Sequence, residues 1–574
     1  MSKLLRVNMA EKTVAFEDLG EYARFGGRAL SSMIVSKEVP PACHPLGRNN
    51  KLVFATGLLC GTSAANAGRL SVGAKSPLTG GIKESNVGGS VADMVAALGL
   101  RGVVIEGQPA SGELYYLLVN KDGASLQPAD EYKGLKNYDL AEKLHAKHGK
   151  KAGIMSIGPA GEMRMSAASV AATDDKGRPS RHAGRGGMGA VMGAKGLKAV
   201  VLDKEGGPGV EYHDKDAFRE AAKTFREALT SHDTTKPGGL LSVYGTDALM
   251  GPVNAAGALP TRNFSTGNFE GVAGISGETL HDTIKARGGE TTHSACSNCV
   301  IQCSNVYLDE NKEYKTSGFE YETIWAHGAN CGINDLESIA EADRLCDDYG
   351  LDTIEMGCAI GVAMDAGVKE FGDGPGAIEL LNEVGAGTPL GRILGNGAAV
   401  TGQTYGVERV PVVKRQGLPA YDPRSIKGIG VTYATTPMGA DHTAGYAVTT
   451  NLSGKVDGLK PDGQVDLSRA LQLTTASLDS AGLCIFVAFA ALDIPEGAAA
   501  IPKMLNALLG WELGDDGLAA YGQEVIAAEL AFNKGAGFSN EDDRLPEFFV
   551  RDELAPHGTV FDVPDEELDQ TFTA

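Results

Sequence analysis

Three cysteines in one short segment constrain this chain more than any other feature of its sequence. Cys296, Cys299 and Cys303 are spaced C-x2-C-x3-C within the loop-like stretch HSACSNCVIQCSN. One loop with this spacing can supply three thiolate ligands to a metal centre. Zinc sites more often add a second C-x2-C pair or nearby histidines, and here only His293 lies close in sequence. The pattern therefore favours an iron–sulfur cluster over zinc or a fortuitous grouping.

The fourth ligand must come from elsewhere in the chain, and Cys484 is the best candidate. Two segments, Asp347–Asp352 and Asp479–Cys484, share the pattern D-x-x-G-L-(D/C), and each follows a helical stretch. A match of this length can arise by chance, and Cys484 taken alone would be an ordinary buried thiol. The remaining cysteines are interpreted as structural: Cys43, Cys60, Cys331, Cys346 and Cys358.

The overall composition excludes several classes of protein. Glycine accounts for 77 of the 574 residues, against a usual share of about 7 %, which indicates tight turns and close backbone approach to something bulky. A formal charge of −21 argues against a nucleic-acid partner. The N-terminus lacks the apolar stretch of a signal peptide, and the longest apolar run, Cys484–Leu492, is too short to span a membrane. We therefore expect a soluble cytoplasmic protein whose cysteines serve metal or redox chemistry.

The order of the predicted elements indicates an α+β fold of three domains. Residues 1–208 contain short β-branched runs, such as 199–202, that alternate with glycine turns. A Gly-Gly-Pro-Gly sequence then marks a boundary. The charged segment 210–236 is predicted to be largely helical. Residues 209–409 also have apolar residues at helical spacing, for example in 339–346 and 354–368, and residues 410–574 continue with further helix. We expect a β-rich N-terminal domain followed by two mainly helical domains.

Taken together, several motifs resemble the tungsten-containing aldehyde ferredoxin oxidoreductase family over nearly the whole chain. They are KSPLTG at 75–80, Ser85-Asn86, SIGPAGE at 156–162, AGRGG at 183–187, GAVMG at 189–193, Glu320-Tyr321-Glu322, LPAYDPR at 418–424 and the two D-x-x-G-L elements. No single motif is decisive. Their shared order and spacing identify the chain as a member of this family.

The resemblance implies a β-rich domain that forms the base for a tungsten or molybdenum ion held by two pterin dithiolenes, with the helical domains covering it. The three clustered cysteines and Cys484 would bind one [4Fe–4S] cluster, and Arg69 would bridge the cluster and a pterin. Each D-x-x-G-L element would hold one pterin, because a carboxylate can pair with its guanidine-like edge and glycine permits close approach. The residues implied are Asp347, Gly350, Leu351, Asp352, Asp479, Gly482, Leu483 and Cys484.

Further residues are implied around the pterin phosphates and the metal. Asn86 and the backbone carbonyl of His182 would bind Mg²⁺, which prefers oxygen ligands. Arg185 is a weaker phosphate candidate, chosen by charge alone. Glu322 would act as a base with a raised pKa. His442 would hydrogen-bond the substrate and pass a proton.

The activity implied is the oxidation of aldehydes to carboxylic acids, reversible in principle. Electrons would leave through the cluster to a ferredoxin or a separate iron–sulfur subunit. The alternative within the fold is the tungsten subunit of a reductase for the ring of an aromatic acyl-coenzyme A thioester. An electron carrier or a metal-storage protein is the alternative from another class, but neither needs a second metal or a proton-handling pair.

Two positions depart from the family pattern. Members that dimerise around a bridging iron have E-x-x-H where this chain has Glu341–Arg344. Because arginine cannot serve as the metal ligand, we expect any oligomer to form without that iron. The lysine that follows the active-site histidine by two residues in the family is replaced by Ala444. One phosphate or pterin contact must therefore come from another residue.

Overall fold

The computed structural model describes residues 2–514 and 516–572. Most of its β-structure lies in the N-terminal third of the chain. The strands are β1 (Lys3–Asn8), β2 (Thr13–Asp18), β3 (Leu52–Thr56), β4 (Leu70–Lys75), β5 (Ile82–Val87), β6 (Leu100–Glu106), β7 (Tyr115–Asn120), β8 (Gly123–Pro128), β9 (Gly153–Ser156), β10 (Val170–Ala172), β11 (Arg181–Ala183), β12 (Leu197–Leu202), β13 (Glu290–His293), β14 (Ser304–Leu308), β15 (Tyr314–Ser317), β16 (Val412–Val413) and β17 (Gln416–Gly417).

Helices dominate the rest of the chain. They are α1 (Gly27–Glu38), α2 (Val91–Ala97), α3 (Asn137–His148), α4 (Pro159–Glu162), α5 (Met188–Ala194), α6 (Lys215–Ser231), α7 (Leu240–Tyr244), α8 (Met250–Ala255), α9 (Gly277–Arg287), α10 (Tyr321–His327), α11 (Leu336–Tyr349), α12 (Thr353–Asp365), α13 (Gly374–Ala386), α14 (Pro389–Leu394), α15 (Ala398–Tyr405), α16 (Lys427–Thr435), α17 (Val448–Leu452), α18 (Gln464–Ala481), α19 (Val487–Asp493), α20 (Pro495–Leu509), α21 (Gly517–Ala536), α22 (Glu547–Arg551) and α23 (Asp565–Asp569). The predicted α+β fold is confirmed.

The strands of the N-terminal region form two sheets with the same topology. The first sheet has the order β2-β1-β6-β3-β4-β5, and the second, read in the matching direction, has the order β8-β7-β12-β9-β10-β11. In the first sheet β1 pairs with β6 in parallel, and in the second sheet β7 pairs with β12 in parallel. The other strand pairs are antiparallel. The region is therefore an internal duplication, which we refer to as the first half (β1–β6) and the second half (β7–β12). Sequence analysis did not predict this repeat.

The two sheets enclose a shared apolar core. Phe54 and Val72 of the first half pack in one buried cluster with Leu117, Met155 and Val200 of the second half. The outer face of the first sheet is covered by α1, α18 and α21, and that of the second sheet by α3. Because both faces of these strands are covered, β3 and β4 are buried along their whole length, and β3 is almost entirely apolar. Helices from the C-terminal part thus lie directly against the β-rich base.

The predicted helices agree with the structure in position, with differences at their ends. The apolar pattern at 339–346 lies within α11, and the pattern at 354–368 corresponds to α12, which ends at Asp365. The helix expected from Val210 begins only at α6, where the Asp214 carboxylate accepts hydrogen bonds from the first-turn backbone. Among the described residues, no helix is long and apolar enough to cross a membrane. The boundaries between the three domains remain predictions.

Candidate active site

The cysteine segment forms the loop between β13 and β14, and the chain after α18 brings Cys484 to it. Asn66 connects the two parts. Its Nδ2 lies 3.3 Å from the Cys299 sulfur, and its backbone carbonyl accepts a hydrogen bond of 2.9 Å from the N–H of Cys484. Arg69 donates from Nη2 to the Cys484 sulfur at 3.2 Å. Three thiols of one loop and a fourth from a distant part of the sequence therefore converge beside Asn66 and Arg69.

The properties of these thiols fit an iron–sulfur cluster. All of the cysteines are free, so the thiols are not paired as disulfides. Partial burial raises the pKa of Cys299 to about 11, with the neighbouring Cys296 adding to the shift. Such thiols become good ligands only when a positive centre replaces their protons. A side chain at Gly88 would lie 2.4 Å from the Cys296 sulfur, so glycine is needed where the chain passes this site.

The two D-x-x-G-L elements have the same local structure. Gly350 ends α11 with φ of 72°, and Gly482 ends α18 with φ of 83°, a conformation that favours glycine. In each element the leucine N–H returns to a helix carbonyl, Leu351 to Cys346 at 2.9 Å and Leu483 to Leu478 at 3.0 Å. Both are therefore Schellman-type helix ends. The shared sequence pattern therefore corresponds to a shared local structure.

Each helix end is joined to a different half of the duplicated region. The N–H groups of Ser169 and Asp352 bond the carbonyls of Gly350 and Ala167, both at 2.9 Å, and these contacts attach the first element to the second half. For the second element, the N–H of Arg69 bonds the carbonyl of Gly482 at 3.1 Å. The internal duplication therefore presents two equivalent positions, one for each element.

Around the second D-x-x-G-L element, buried carboxylates lie close together and have fewer hydrogen-bond donors than they could accept from. Asp479 lies 3.5 Å from the guanidinium of Arg28, which is mainly paired with Glu529 at 2.8 Å. Burial and the nearby Glu84 carboxylate raise the pKa of Asp479 to about 8. Glu84 Oε1 is buried with no hydrogen-bond partner among the described residues. A ligand rich in N–H groups, such as a pterin ring edge, fits this arrangement.

Around the first element, the acidic groups have protein partners. The Asp347 carboxylate lies 3.0 Å from Nε2 of His182. Asp352 accepts a hydrogen bond from the Ile354 N–H at 3.0 Å and lies 3.3 Å from Nε of Arg185. Asp347 lies near the end of α11 and Asp352 directly before α12, and both contact residues of the second half.

Asn86 and His182 lie in equivalent strands of the two halves. Asn86 is in β5 and His182 in β11, and these two strands pack against each other. The Nδ2 atom of Asn86 is buried with no hydrogen-bond partner among the described residues, whereas the His182 ring contacts the Ser169 hydroxyl at 2.7 Å. The predicted pair therefore shares one location, and the magnesium ion between them remains a prediction.

The environment of Arg185 differs from that expected of an arginine that is free to bind a phosphate. Its guanidinium is buried and donates at 2.6 Å to the carbonyls of Ala440 and of Gly417. It also lies 3.7 Å from Glu355. Most of its donors are thus directed at protein acceptors, and its main contribution in the structure is to join the second half to the loop before His442.

Glu322 and His442 form a close pair. Glu322 is in the first turn of α10, and its Oε1 lies 3.4 Å from Nε2 of His442, which is in the loop between α16 and α17. Burial raises the pKa of Glu322 to about 8 and lowers that of His442 to about 4, so both are neutral near pH 7. Glu322 Oε1 and His442 Nδ1 are buried without hydrogen-bond partners in the described part of the chain. Both groups are therefore available to a ligand.

One cavity connects this pair with the cysteine loop. Its volume is about 530 Å³, and Glu322 and His442 share its wall with Arg69 and the three clustered cysteines. The lining is mostly apolar elsewhere, with residues such as Phe486 and Phe489. The Glu322–His442 pair and the cysteine loop thus open into the same space.

Several residues of this site were not predicted from the sequence. Asp441 is ion-paired with the buried Lys83 at 2.9 Å, which fixes the loop that carries His442. Tyr421 and Tyr446 line the cavity, and their hydroxyls lie 3.1 Å apart. Two signals were available in the sequence: Asp441 directly precedes His442, and Tyr421 lies within LPAYDPR.

At the first position that departs from the family pattern, Glu341 and Arg344 contact other residues of this chain. Arg344 lies over the Tyr138 ring at 3.6 Å and bonds Asp348 at 3.3 Å. Glu341 is paired with Lys315 at 2.5 Å. These contacts are made by the two residues that correspond to the expected iron ligands of the E-x-x-H motif. That any oligomer lacks this iron stays a prediction.

Comparisons with known proteins agree with this geometry. A family model described as aldehyde ferredoxin oxidoreductase, N-terminal domain, matches residues 4–204, and a model for domains 2 and 3 matches residues 220–573. Tungsten-containing aldehyde ferredoxin oxidoreductases from Pyrococcus horikoshii and Thermococcus kodakarensis are each 36 % identical, over 97 % of this chain and 92 % of theirs. 

A solved structure resembles the whole chain in fold. It is the active site complex BamBC of benzoyl coenzyme A reductase with 1,5-dienoyl-CoA, with a TM-score of 0.81 and 20 % identity, covering 100 % of this chain and 93 % of that one. At this identity the match concerns the fold alone. The family models span nearly all of the described residues, and the oxidoreductase relatives match over almost their full length. The chain therefore belongs to the aldehyde ferredoxin oxidoreductase family.

Proposed function

We propose that this protein oxidises aldehydes to carboxylic acids at a tungsten centre, or a molybdenum centre, held by two pterins. The observation that carries the proposal is the shared cavity, in which the neutral Glu322–His442 pair lies in the same space as the cluster cysteines. The tungsten-containing relatives support the choice of metal, and aldehyde oxidation is the activity in their names.

The chemistry assigns separate roles to the two polar residues. Conversion of an aldehyde and water to an acid releases two protons and two electrons. When bound, the metal–pterin centre would take the electron pair, and the cluster would pass the electrons on singly. Glu322, once deprotonated, accepts a proton from the attacking water, and the hydrogen bond from Ala420 N–H at 3.1 Å orients its carboxylate. His442 positions the carbonyl oxygen through a ring nitrogen.

The geometry of the site supports the residues proposed to hold the cofactors. The four converging thiols would ligate the cluster, with Arg69 between Cys484 and the nearer pterin. The two D-x-x-G-L elements would each bind one pterin. Asn86 and the His182 carbonyl would hold Mg²⁺ between the pterin phosphates, and the shared location of β5 and β11 supports this assignment. 

The electron acceptor is proposed to be a ferredoxin or a separate iron–sulfur subunit. A chain with one cluster must deliver electrons singly to another carrier. The names of the Pyrococcus horikoshii and Thermococcus kodakarensis relatives include ferredoxin, which supports this class of acceptor. A cytoplasmic location is part of the same proposal, because free cysteines and an acidic composition suit a reducing compartment.

Ring reduction of an aromatic acyl-coenzyme A is the competing activity, and the cavity argues against it. Coenzyme A phosphates normally need Lys or Arg at the entrance. Of the described residues that line the cavity, only Arg69 and Arg181 are of this type, and both lie beside the cluster cysteines. The remaining wall is largely apolar.

We therefore expect aldehydes to be oxidised and benzoyl-coenzyme A to remain unreduced. The test offers benzaldehyde with an oxidised viologen dye, and benzoyl-coenzyme A with a reduced dye, to one metal-replete preparation. Dye reduction with the aldehyde and no product from the thioester is the expected result. Ring reduction with aldehydes inert would contradict the proposal and would leave the fold and the cofactor sites unchanged.

A further inference from the structure

A second set of metal-type ligands lies just before the cysteine loop. Asp174 and Asp175 follow β10, and His293 ends β13. His293 Nε2 lies 3.6 Å from Asp174 Oδ2 and 3.8 Å from Asp175 Oδ1, and the three atoms are all within 4.8 Å of one another. Neither the proposed activity nor the cluster uses these residues.

The orientations of Asp174 and His293 are fixed by other contacts. Asp174 Oδ1 accepts hydrogen bonds from the N–H groups of Lys176 and Arg178, each at 2.9 Å. Its Oδ2 is therefore left to face the histidine. His293 Nδ1 lies 3.2 Å from Glu290 Oε2. In the neutral tautomer with its proton on Nδ1, the imidazole donates to Glu290 and leaves the Nε2 lone pair free for a metal ion.

This arrangement leaves buried polar atoms without partners. His293 is 4 % exposed and Asp174 is 2 % exposed. Among the described residues, neither His293 Nε2 nor Asp174 Oδ2 has a hydrogen-bond partner. Separations of 3.6 and 3.8 Å are too long for a hydrogen bond. They are close to the edge of about 3.4 Å between two ligands of a tetrahedral ion with bonds of about 2.1 Å.

We propose that Asp174, Asp175 and His293 bind one divalent transition-metal ion, with Zn²⁺ as the best fit. An imidazole nitrogen with two carboxylate oxygens is a donor set that zinc accepts, whereas Mg²⁺ and Ca²⁺ prefer oxygen alone. Two carboxylates balance the charge of the ion. Glu290 orients the imidazole from its other nitrogen, as outer carboxylates do in metal sites. Asp175 is largely exposed on one side, which gives the ion and a completing water access.

The ion has a structural consequence for the cluster loop. It joins the segment after β10 to the end of β13, three residues before Cys296. The same segment contacts the chain near Gly88, because the Ser90 hydroxyl bonds the Thr173 carbonyl at 3.2 Å and Ser297 N–H bonds the Gly89 carbonyl at 3.1 Å. The ion therefore anchors the loop that supplies three cluster ligands.

The test compares zinc binding by the holoprotein with binding by two variants and a control. The variants are Asp175→Asn, which changes an exposed group and should fold normally, and His293→Gln. His281→Gln is the matched control, because His281 is a partly buried histidine that also faces a carboxylate, at 3.1 Å from the exposed Asp282. Each protein is equilibrated with Zn²⁺, freed of excess metal and measured for zinc, iron and tungsten.

We expect one tightly bound zinc in the wild type and in the control, and at least tenfold weaker zinc binding in both variants. X-ray absorption at the zinc edge should show only nitrogen and oxygen neighbours. Zinc bound through sulfur would place it at the cysteines and overturn the proposal. A wild type that binds no zinc, or variants that bind it as tightly, would also overturn it.

Discussion

Replacement of Glu322 by glutamine is expected to lower kcat for aldehyde oxidation by roughly 10²–10⁴-fold, the usual contribution of a positioned base. Glutamine keeps the shape of the side chain and can still interact with His442, but it cannot accept a proton. Iron, tungsten and pterin contents should remain at the wild-type level, because Glu322 is not among the proposed ligands. The measurement is aldehyde-dependent reduction of a viologen dye, normalised to metal content.

The pH profile provides a second readout of the same group. The pKa of Glu322 is raised to about 8 by burial, so the carboxylate form predominates only above that pH. For the wild type, kcat/KM should therefore rise with pH and level off above about 8. This limb should disappear in Glu322→Gln. Glu379→Gln, which alters an exposed glutamate paired with Lys369, is the control and should retain full activity. Near-normal turnover in Glu322→Gln would place the base elsewhere.

Replacement of Cys299 by serine is expected to abolish both the cluster and electron transfer to the acceptor. Cys299 is one of four converging thiols, and a serine hydroxyl is a poor replacement for a thiolate at an iron. Iron should fall from about four atoms per chain to a small fraction of that value, and dye reduction should fall to background. Iron analysis and the visible absorption of the cluster measure the first effect directly.

The control for this variant is Cys43→Ser. Cys43 is half-buried beside Lys75 and is outside the set of four cysteines. Its replacement should leave iron content and activity unchanged. A Cys299→Ser protein that retains four irons would show that the cluster is held by other ligands.

Much of the site was predictable because its residues are local in sequence. Three of the cluster cysteines occur within eight positions, and each D-x-x-G-L element is a helix end whose geometry is set by its own glycine and leucine. The same holds for α11, where apolar spacing defines the helix. Such features depend on contacts within a few residues, which a sequence displays directly.

What could not be predicted depends on contacts between distant segments. The internal duplication is a property of strand order, which was not predicted from the sequence. Asn66 connects Cys299 and Cys484 through its side chain and its backbone, and neither contact has a sequence signature. The partners of Arg185 were also missed, because charge alone suggests a phosphate whereas the fold supplies carbonyls from Gly417 and Ala440.

The central claim is that this chain holds one metal–pterin centre and one [4Fe–4S] cluster. Its most direct test is elemental analysis of the purified holoprotein, with quantification of pterin in the same sample. The expected result is about four irons and one tungsten or molybdenum per chain, with two pterins. One zinc per chain in addition agrees with the site at Asp174, Asp175 and His293. Stoichiometric zinc with little iron and no tungsten, molybdenum or pterin would contradict the account.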